Sequence, residues 1–196
     1  MTSILFSSYL QGFSKPSPTL DPSGPLQAAR AKLHIVLSTK KMIDADVRRI
    51  FEVNLIGTFN SYTLAAKQMI AQGPVDAEGS HQWTYKIIGA SSIVAFQPYP
   101  LASYYSVVKS AIRVFTNTFA MEMAKHKIAV NAYAPGVIDT TMWDEIDDEL
   151  AEVQRALMGR LGTPDDVAMV VSFLAGPDSA FVNGQTLVVD GGIVMT

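Results

Sequence analysis

Apolar residues are laid along this chain in two alternating styles. Short unbroken runs rich in β-branched residues, LHIVL (33–37), YKIIGAS (85–91), KIAVNAYA (127–134) and TLVVD (186–190), have the character of strands covered on both faces, as in parallel sheets. Between them the period lengthens to three or four residues. Phe51, Leu55, Phe59, Tyr62, Ala66 and Met69 recur this way across 45–72, and Val108, Ile112, Phe115, Phe119 and Met123 across about 102–125. Both stretches predict amphipathic helices. A third helix is signalled at Thr163-Pro164-Asp165-Asp166, where a capping hydroxyl, a proline at the first position and acids in the first turn precede Val167, Val170, Val171 and Leu174, with Gly176 as the stop. Strands alternating with helices predict an α/β fold around a parallel sheet. Core packing by itself accounts for every one of these stripes.

The beginning of the chain breaks the pattern. Prolines cluster in SKPSPTLDPSGP (14–25) and no period is sustained, so residues 1–31 read as an irregular tail ahead of a domain covering 32–196. With 196 residues, 48% hydrophobic and 17% charged, the chain is long and apolar enough for one globular core. A net charge of −3, without long runs of one sign, gives no electrostatic footprint for nucleic acid. There is no cysteine, and His34, His81 and His126 are too far apart for a short metal motif, so no metal site is expected. No window approaches the roughly 20 apolar residues of a membrane span. The first residues also lack a basic segment before an apolar one, which makes the cytoplasm the expected location.

Candidate chemistry gathers in the middle of the chain. Tyr105 and Lys109 are four residues apart at the start of a predicted helix and therefore share a face. A phenol titrates near 10, and an adjacent ammonium stabilises phenolate, so the pair is expected to bring Tyr105 down toward the range useful for acid–base work. Surface decoration of a helix produces such a pair too. Ser92, which with Ser91 closes the strand over 85–91, strengthens the catalytic reading, because open α/β sheets place ligands at the carboxyl ends of their strands. A hydroxyl there can polarise a carbonyl while Tyr105 moves the proton; simple capping of the strand end is the alternative. Tyr104 has Val108 at its fourth position and lacks the partner.

From about Leu33 to its end the chain resembles the short-chain dehydrogenase/reductase family. The resemblance rests on VNLIGTF (53–59), IIGASS (87–92), Tyr105-Ser-Val-Val-Lys109, VNAYAPGVIDT (130–140) and FVNGQTLVVDGG (181–192), in that order. It implies a Rossmann-like parallel sheet with flanking helices and a catalytic tetrad of Asn54, Ser92, Tyr105 and Lys109. In that scheme the tyrosine is the general acid/base, the lysine lowers its pKa and holds the cofactor ribose, the serine polarises the carbonyl, and the asparagine positions a relay water. Val137, Ile138 and Thr140 correspond to residues that hold the nicotinamide end of NAD or NADP. TTMWDEIDDEL (140–150) and GRLGTPDDVA (159–168) are similar to segments of acetoin/diacetyl reductases and butanediol dehydrogenases. Residues 141–160 are where this family builds its substrate lid, and the stretch between Trp143 and Arg160 is shorter than in those reductases.

The chain departs from the family at its start. The first βαβαβ block is lacking, and with it the glycine-rich turn whose amides receive the cofactor pyrophosphate. Only Gly12 and Gly24 occur in the first thirty residues, and Ser38-Thr39-Lys40-Lys41 stands where the family carries Asn-Asn-Ala-Gly. Weak binding of NAD or NADP is the physical expectation, with LHIVL left at an open sheet edge. A truncated product, a non-redox descendant and a subunit completed by another chain all fit. Three functions follow: an oxidoreductase acting on a small carbonyl or alcohol, a non-redox isomerase or cyclase using the same residues, or a cofactor-deficient interaction subunit. The first is the favoured reading. The resemblance further implies a homo-oligomer built through helices 45–72 and 102–125, or association with a full-length relative.

Overall fold

The computed structural model of the protein describes residues 2–5, 44–73, 85–100, 102–139 and 157–196. Its centre is a four-stranded, wholly parallel sheet: β1 (Thr2–Leu5), β2 (Tyr85–Ala90), β3 (Ile128–Pro135) and β4 (Thr186–Val189), side by side in chain order. Register runs from Thr2 opposite Tyr85, through Tyr85 opposite Ile128, to Ala132 opposite Thr186. Three of the four expected strands are thus present, and LHIVL lies outside the described residues. Thr2–Leu5, within the segment expected to be irregular, hydrogen-bonds along β2 and forms one edge of the sheet among the described residues. Four residues are too short to register as a period, yet β2 offers them a full ladder of backbone partners.

Each crossover carries helix. The segment expected as one helix over 45–72 is broken into α1 (Asp44–Ile50), a π-helical stretch (Phe51–Ile56) and α2 (Gly57–Gln72). Local side chains accompany the break: Asn54 Nδ2 donates to the Ile50 carbonyl at 3.2 Å, and Thr58 Oγ1 donates to the Asn54 carbonyl at 2.6 Å. Gly57 N–H reaches back to Glu52 O, five residues earlier, where an α-helix would use four. The second expected helix is α3 (Ser103–Met123), which tightens into a 3₁₀ turn before Lys127 reverses the chain with φ 58°. The third is α4 (Pro164–Ala175), opened by a reciprocal capping box between Thr163 and Asp166.

Strand pleating distributes the core. Tyr85, Ile87, Ile128 and Val130 pack with Tyr62, Ala65, Ala66 and Met69 of α2 and with Phe119 and Ala120 of α3. Aromatic rings link those helices, Phe59 to Phe115 at 4.2 Å between centroids and Tyr62 to Phe119 at 5.9 Å. The neighbouring Lys86 turns to the opposite face, where its buried Nζ donates to the Gly176 carbonyl and to Ser179 Oγ just beyond α4. Burial pulls that ammonium below its ordinary value, against a partial upward pull from Asp178. In α4, Leu174 is fully buried but Val167, Val170 and Val171 are only half-buried. β4, expected to be covered on both faces, is likewise half-buried throughout, because it forms an edge of the sheet among the described residues.

Candidate active site

The carboxyl ends of β2 and β3 meet the beginning of α3. Beyond Ala90 the chain stays pinned to β3 by Ser91 N–H, which donates to the Tyr133 carbonyl at 2.8 Å. Ser92 is fully extended (φ −166°, ψ 160°) and caps a 3₁₀ turn at Ile93–Ala95, its Oγ accepting from Val94 N–H at 3.4 Å. That turn packs against α3. The alternative of plain capping for Ser92 is therefore real, but its hydroxyl serves a second partner as well: it interacts with the phenol of Tyr105.

Helical spacing brings Lys109 under Tyr105, with Nζ 5.5 Å from the ring centroid. The lysine is buried; its Nζ donates to the Ala90 carbonyl at 3.0 Å, and its own carbonyl accepts from Ser91 Oγ at 2.9 Å. Strand end and helix start are therefore stitched together at the residue pair the sequence singled out. Tyr104, by contrast, is exposed.

The electrostatics correct one expectation. Tyr105 titrates above its ordinary value because burial disfavours phenolate, and the interaction with Ser92 only partly offsets this. Burial also acts on the lysine, whose pKa falls from 10.5 to about 8. Nζ gives one proton to the Ala90 carbonyl and lies over the ring face rather than beside the phenolic oxygen.

Asn54 is partly buried in the π-helical stretch, which packs against α3; the hydrogen bonds described for it are the local ones to Ile50 and Thr58. At the end of β3, Gly136 donates to the Val189 carbonyl at 3.0 Å, and a Cβ there would fall 2.6 Å from Asp190 Cβ. Only glycine permits that approach. Val137, which is buried, and Ile138 follow, held by Gly162: Gly162 N–H donates to Val137 O at 3.0 Å, and Asp139 N–H donates to Gly162 O at 2.8 Å. Thr140 and the segment 141–156 lie outside the described residues. Beside this run a cleft of about 340 Å³ opens between the end of β4 and the start of α4, lined by Met158, Arg160, Asp166, Val189 and Asp190. Neither Tyr105 nor Lys109 lines it.

Three features escaped the sequence reading. Asn131, buried in β3, donates from Nδ2 to Val182 O at 3.0 Å and accepts from Gln185 N–H at 2.9 Å, tying the loop before β4 to the sheet. Lys86 was absorbed into an apolar strand. Arg113, one turn beyond Lys109, covers the ring of Phe96 at 4.8 Å from the centroid. Its spacing of four from Lys109 was visible in the sequence; its aromatic partner was not.

A parallel sheet with a serine beyond one strand end, facing a tyrosine and a buried lysine on one face of the next helix, defines a Rossmann-like protein with acid–base equipment. Residues 27–194 match the family model described as enoyl-(acyl carrier protein) reductase. The chain is 38% identical over 165 residues to a diacetyl reductase [(S)-acetoin forming] of Staphylococcus epidermidis, covering 77% of this chain and 61% of the relative. It is 36% identical over 167 residues to an L-2,3-butanediol dehydrogenase of Corynebacterium glutamicum, covering 79% and 61%. Among solved structures, a 3-oxoacyl-[acyl-carrier protein] reductase from Brucella melitensis with bound NAD superposes with a TM-score of 0.67 at 33% identity, over 81% of this chain and 55% of that one. The chain belongs to the short-chain dehydrogenase/reductase family of oxidoreductases. It spans about three fifths of the length of the curated relatives it matches. Among the described residues, no helix is long and apolar enough to cross a membrane.

Proposed function

We propose that this chain is an oxidoreductase acting on a small carbonyl or alcohol with NAD or NADP, and that a hydroxyketone or diketone is the substrate class. The observation that carries this is the convergence of Ser92, Tyr105 and Lys109 at the carboxyl end of β2. In the reducing direction Ser92 Oγ–H donates to the carbonyl oxygen and polarises it. Tyr105 delivers its phenolic proton to that oxygen as negative charge develops there. Lys109 stabilises the resulting phenolate, and proton uptake from solvent restores the phenol.

The donor set fits a nicotinamide cofactor at its reactive end. Lys109 Nζ has three protons, and the Ala90 carbonyl takes one, leaving donors for ribose hydroxyls beside Tyr105. Val137, Ile138 and Thr140 would hold the carboxamide side, and Asn54 would position a relay water. When bound, the nicotinamide supplies or accepts the hydride. The similarity to a diacetyl reductase and a butanediol dehydrogenase supports a small oxygenated substrate.

An oligomer is part of the same reading. Along α3 the positions Tyr104, Val107, Ala111, Val114, Thr118 and Met121 follow alternating steps of three and four, the spacing of a helix–helix seam. Val107, Val114 and Met121 are 55%, 56% and 78% exposed, and Leu64 of α2 is 62% exposed. A second copy of the chain, or a full-length relative, would cover them.

The test is NADH and NADPH oxidation at millimolar cofactor with diacetyl or acetoin as substrate. Turnover abolished by Tyr105→Phe is the expected result. Absence of turnover with every such pair, in a folded protein, would overturn the reading.

A further inference from the structure

Three consecutive turns of α3 hold one short segment. At the first, the Tyr105 phenol meets Ser92; at the second, the Lys109 backbone carbonyl accepts from Ser91 Oγ at 2.9 Å, and its Nζ reaches the Ala90 carbonyl. At the third, the Arg113 guanidinium lies over the ring of Phe96, 4.8 Å from its centroid. Phe96 is no bystander to Ser92. Ser92 caps the 3₁₀ turn and Phe96 ends it, with Ala95 N–H donating to Ser92 O at 3.0 Å and Phe96 N–H donating to Ile93 O at 2.9 Å. The segment that carries Ser92 is therefore fastened to α3 at both ends. Its far fastening is the Arg113–Phe96 contact.

Arg113 Nε is buried and has no hydrogen-bond partner. The described interaction of the guanidinium is with the ring face, which attracts a cation through its quadrupole. We propose that Arg113 is a positioning residue that acts through Phe96 to hold the Ser92 hydroxyl against the Tyr105 phenol. This rests on the reading of Ser92 and Tyr105 as the proton-handling pair. It adds to that reading a residue two helical turns from the phenol, with no described contact to it.

The phenol reports on its own neighbour, so the test needs neither substrate nor cofactor. In the full chain labelled with ¹³Cζ-tyrosine, the Tyr105 resonance is assigned by its loss in Tyr105→Phe and followed with pH. Ser92→Ala is expected to raise the Tyr105 midpoint by roughly 1–2 pH units, the size produced by losing one hydrogen bond to the anion. Arg113→Met, which keeps the stem and removes the cation, is expected to move the resonance and midpoint the same way. Phe96→Leu should reproduce the effect, Arg113→Lys should restore most of it, and Arg113→Met should add nothing to Ser92→Ala. A shift in Ser92→Ala with none in Arg113→Met overturns the role of Arg113 and leaves the proton-handling pair standing. A full additional shift in the double variant also overturns it, since the arginine would then act independently of the serine. No shift in Ser92→Ala removes the pair itself, and the inference falls with it.

Discussion

The hydroxyl of Tyr62 occupies the space in which a side chain on Gly89 would begin: a Cβ there would lie 2.0 Å from Oη and 2.8 Å from Cζ. The phenol is buried between α2 and the sheet, bonded to Thr116 Oγ1 at 3.2 Å, and burial pushes its pKa up to about 12. Gly89→Ala should therefore cost about 1–3 kcal/mol, the usual range for overpacking a closed core. Tyr62→Phe removes the nearest atom and should recover part of that loss. Urea denaturation of the two single variants and the double variant measures the coupling; strict additivity would show that the ring yields without cost.

Tyr105→Phe removes one hydroxyl from the start of α3 and leaves its helix spacing untouched. Turnover is expected to fall at least ~100-fold, the lower end of what a positioned acid–base group contributes, with the circular dichroism spectrum unchanged. Tyr104→Phe, at an exposed position, should stay close to the parent rate. Equal rates for the Tyr105 variant and the parent would remove the phenol from the mechanism.

Lys109 makes stability depend on pH in a defined direction. Its pKa is about 8 in the folded chain and 10.5 without burial, so between these values the unfolded chain binds more protons. Stability from this group therefore rises as pH climbs from about 8 toward 10. Above that, the raised Tyr105 and Tyr62 oppose the trend, because the unfolded phenols ionise first. Lys109→Met should flatten the rise and increase stability at pH 7 by about 1–2 kcal/mol, trading function for stability. Thermal unfolding of both proteins from pH 7 to 10 checks the sign.

For these 196 residues taken by themselves, cofactor affinity is expected to be low. The sequence lacks the glycine-rich turn, whose amides would each contribute about 1.5–3 kcal/mol to a charged pyrophosphate. Losing two of them removes roughly 3–6 kcal/mol, or about two to four orders of magnitude in affinity. Calorimetry should give a dissociation constant for NAD or NADP in the high-micromolar to millimolar range. A low-micromolar value would mean that another part of the chain, or a second subunit, rebuilds the pyrophosphate site.

The exposed seam on α3 predicts association driven by apolar burial. Light scattering at micromolar concentration should detect an oligomer, and Val114→Glu with Met121→Glu should dissociate it. A parent protein that is already monomeric would refute the assignment of this face.

What the sequence determined by itself is local. β-Branched runs marked β2, β3 and β4, because such side chains suit a covered, pleated surface. The Thr163–Asp166 box marked the start of α4, because a cap satisfies amides a few residues away. Tyr105 and Lys109 fell on one face because helical spacing alone puts them there. Tertiary structure decided what depends on partners distant in sequence: that Thr2–Leu5 finds a ladder on β2, that β4 is half-buried as an edge among the described residues, and that Arg113 reaches Phe96. It also set the direction in which Tyr105 titrates. Four-residue spacing gave the phenol a neighbouring ammonium, but burial of the assembled site governs both groups while Nζ is turned to the Ala90 carbonyl.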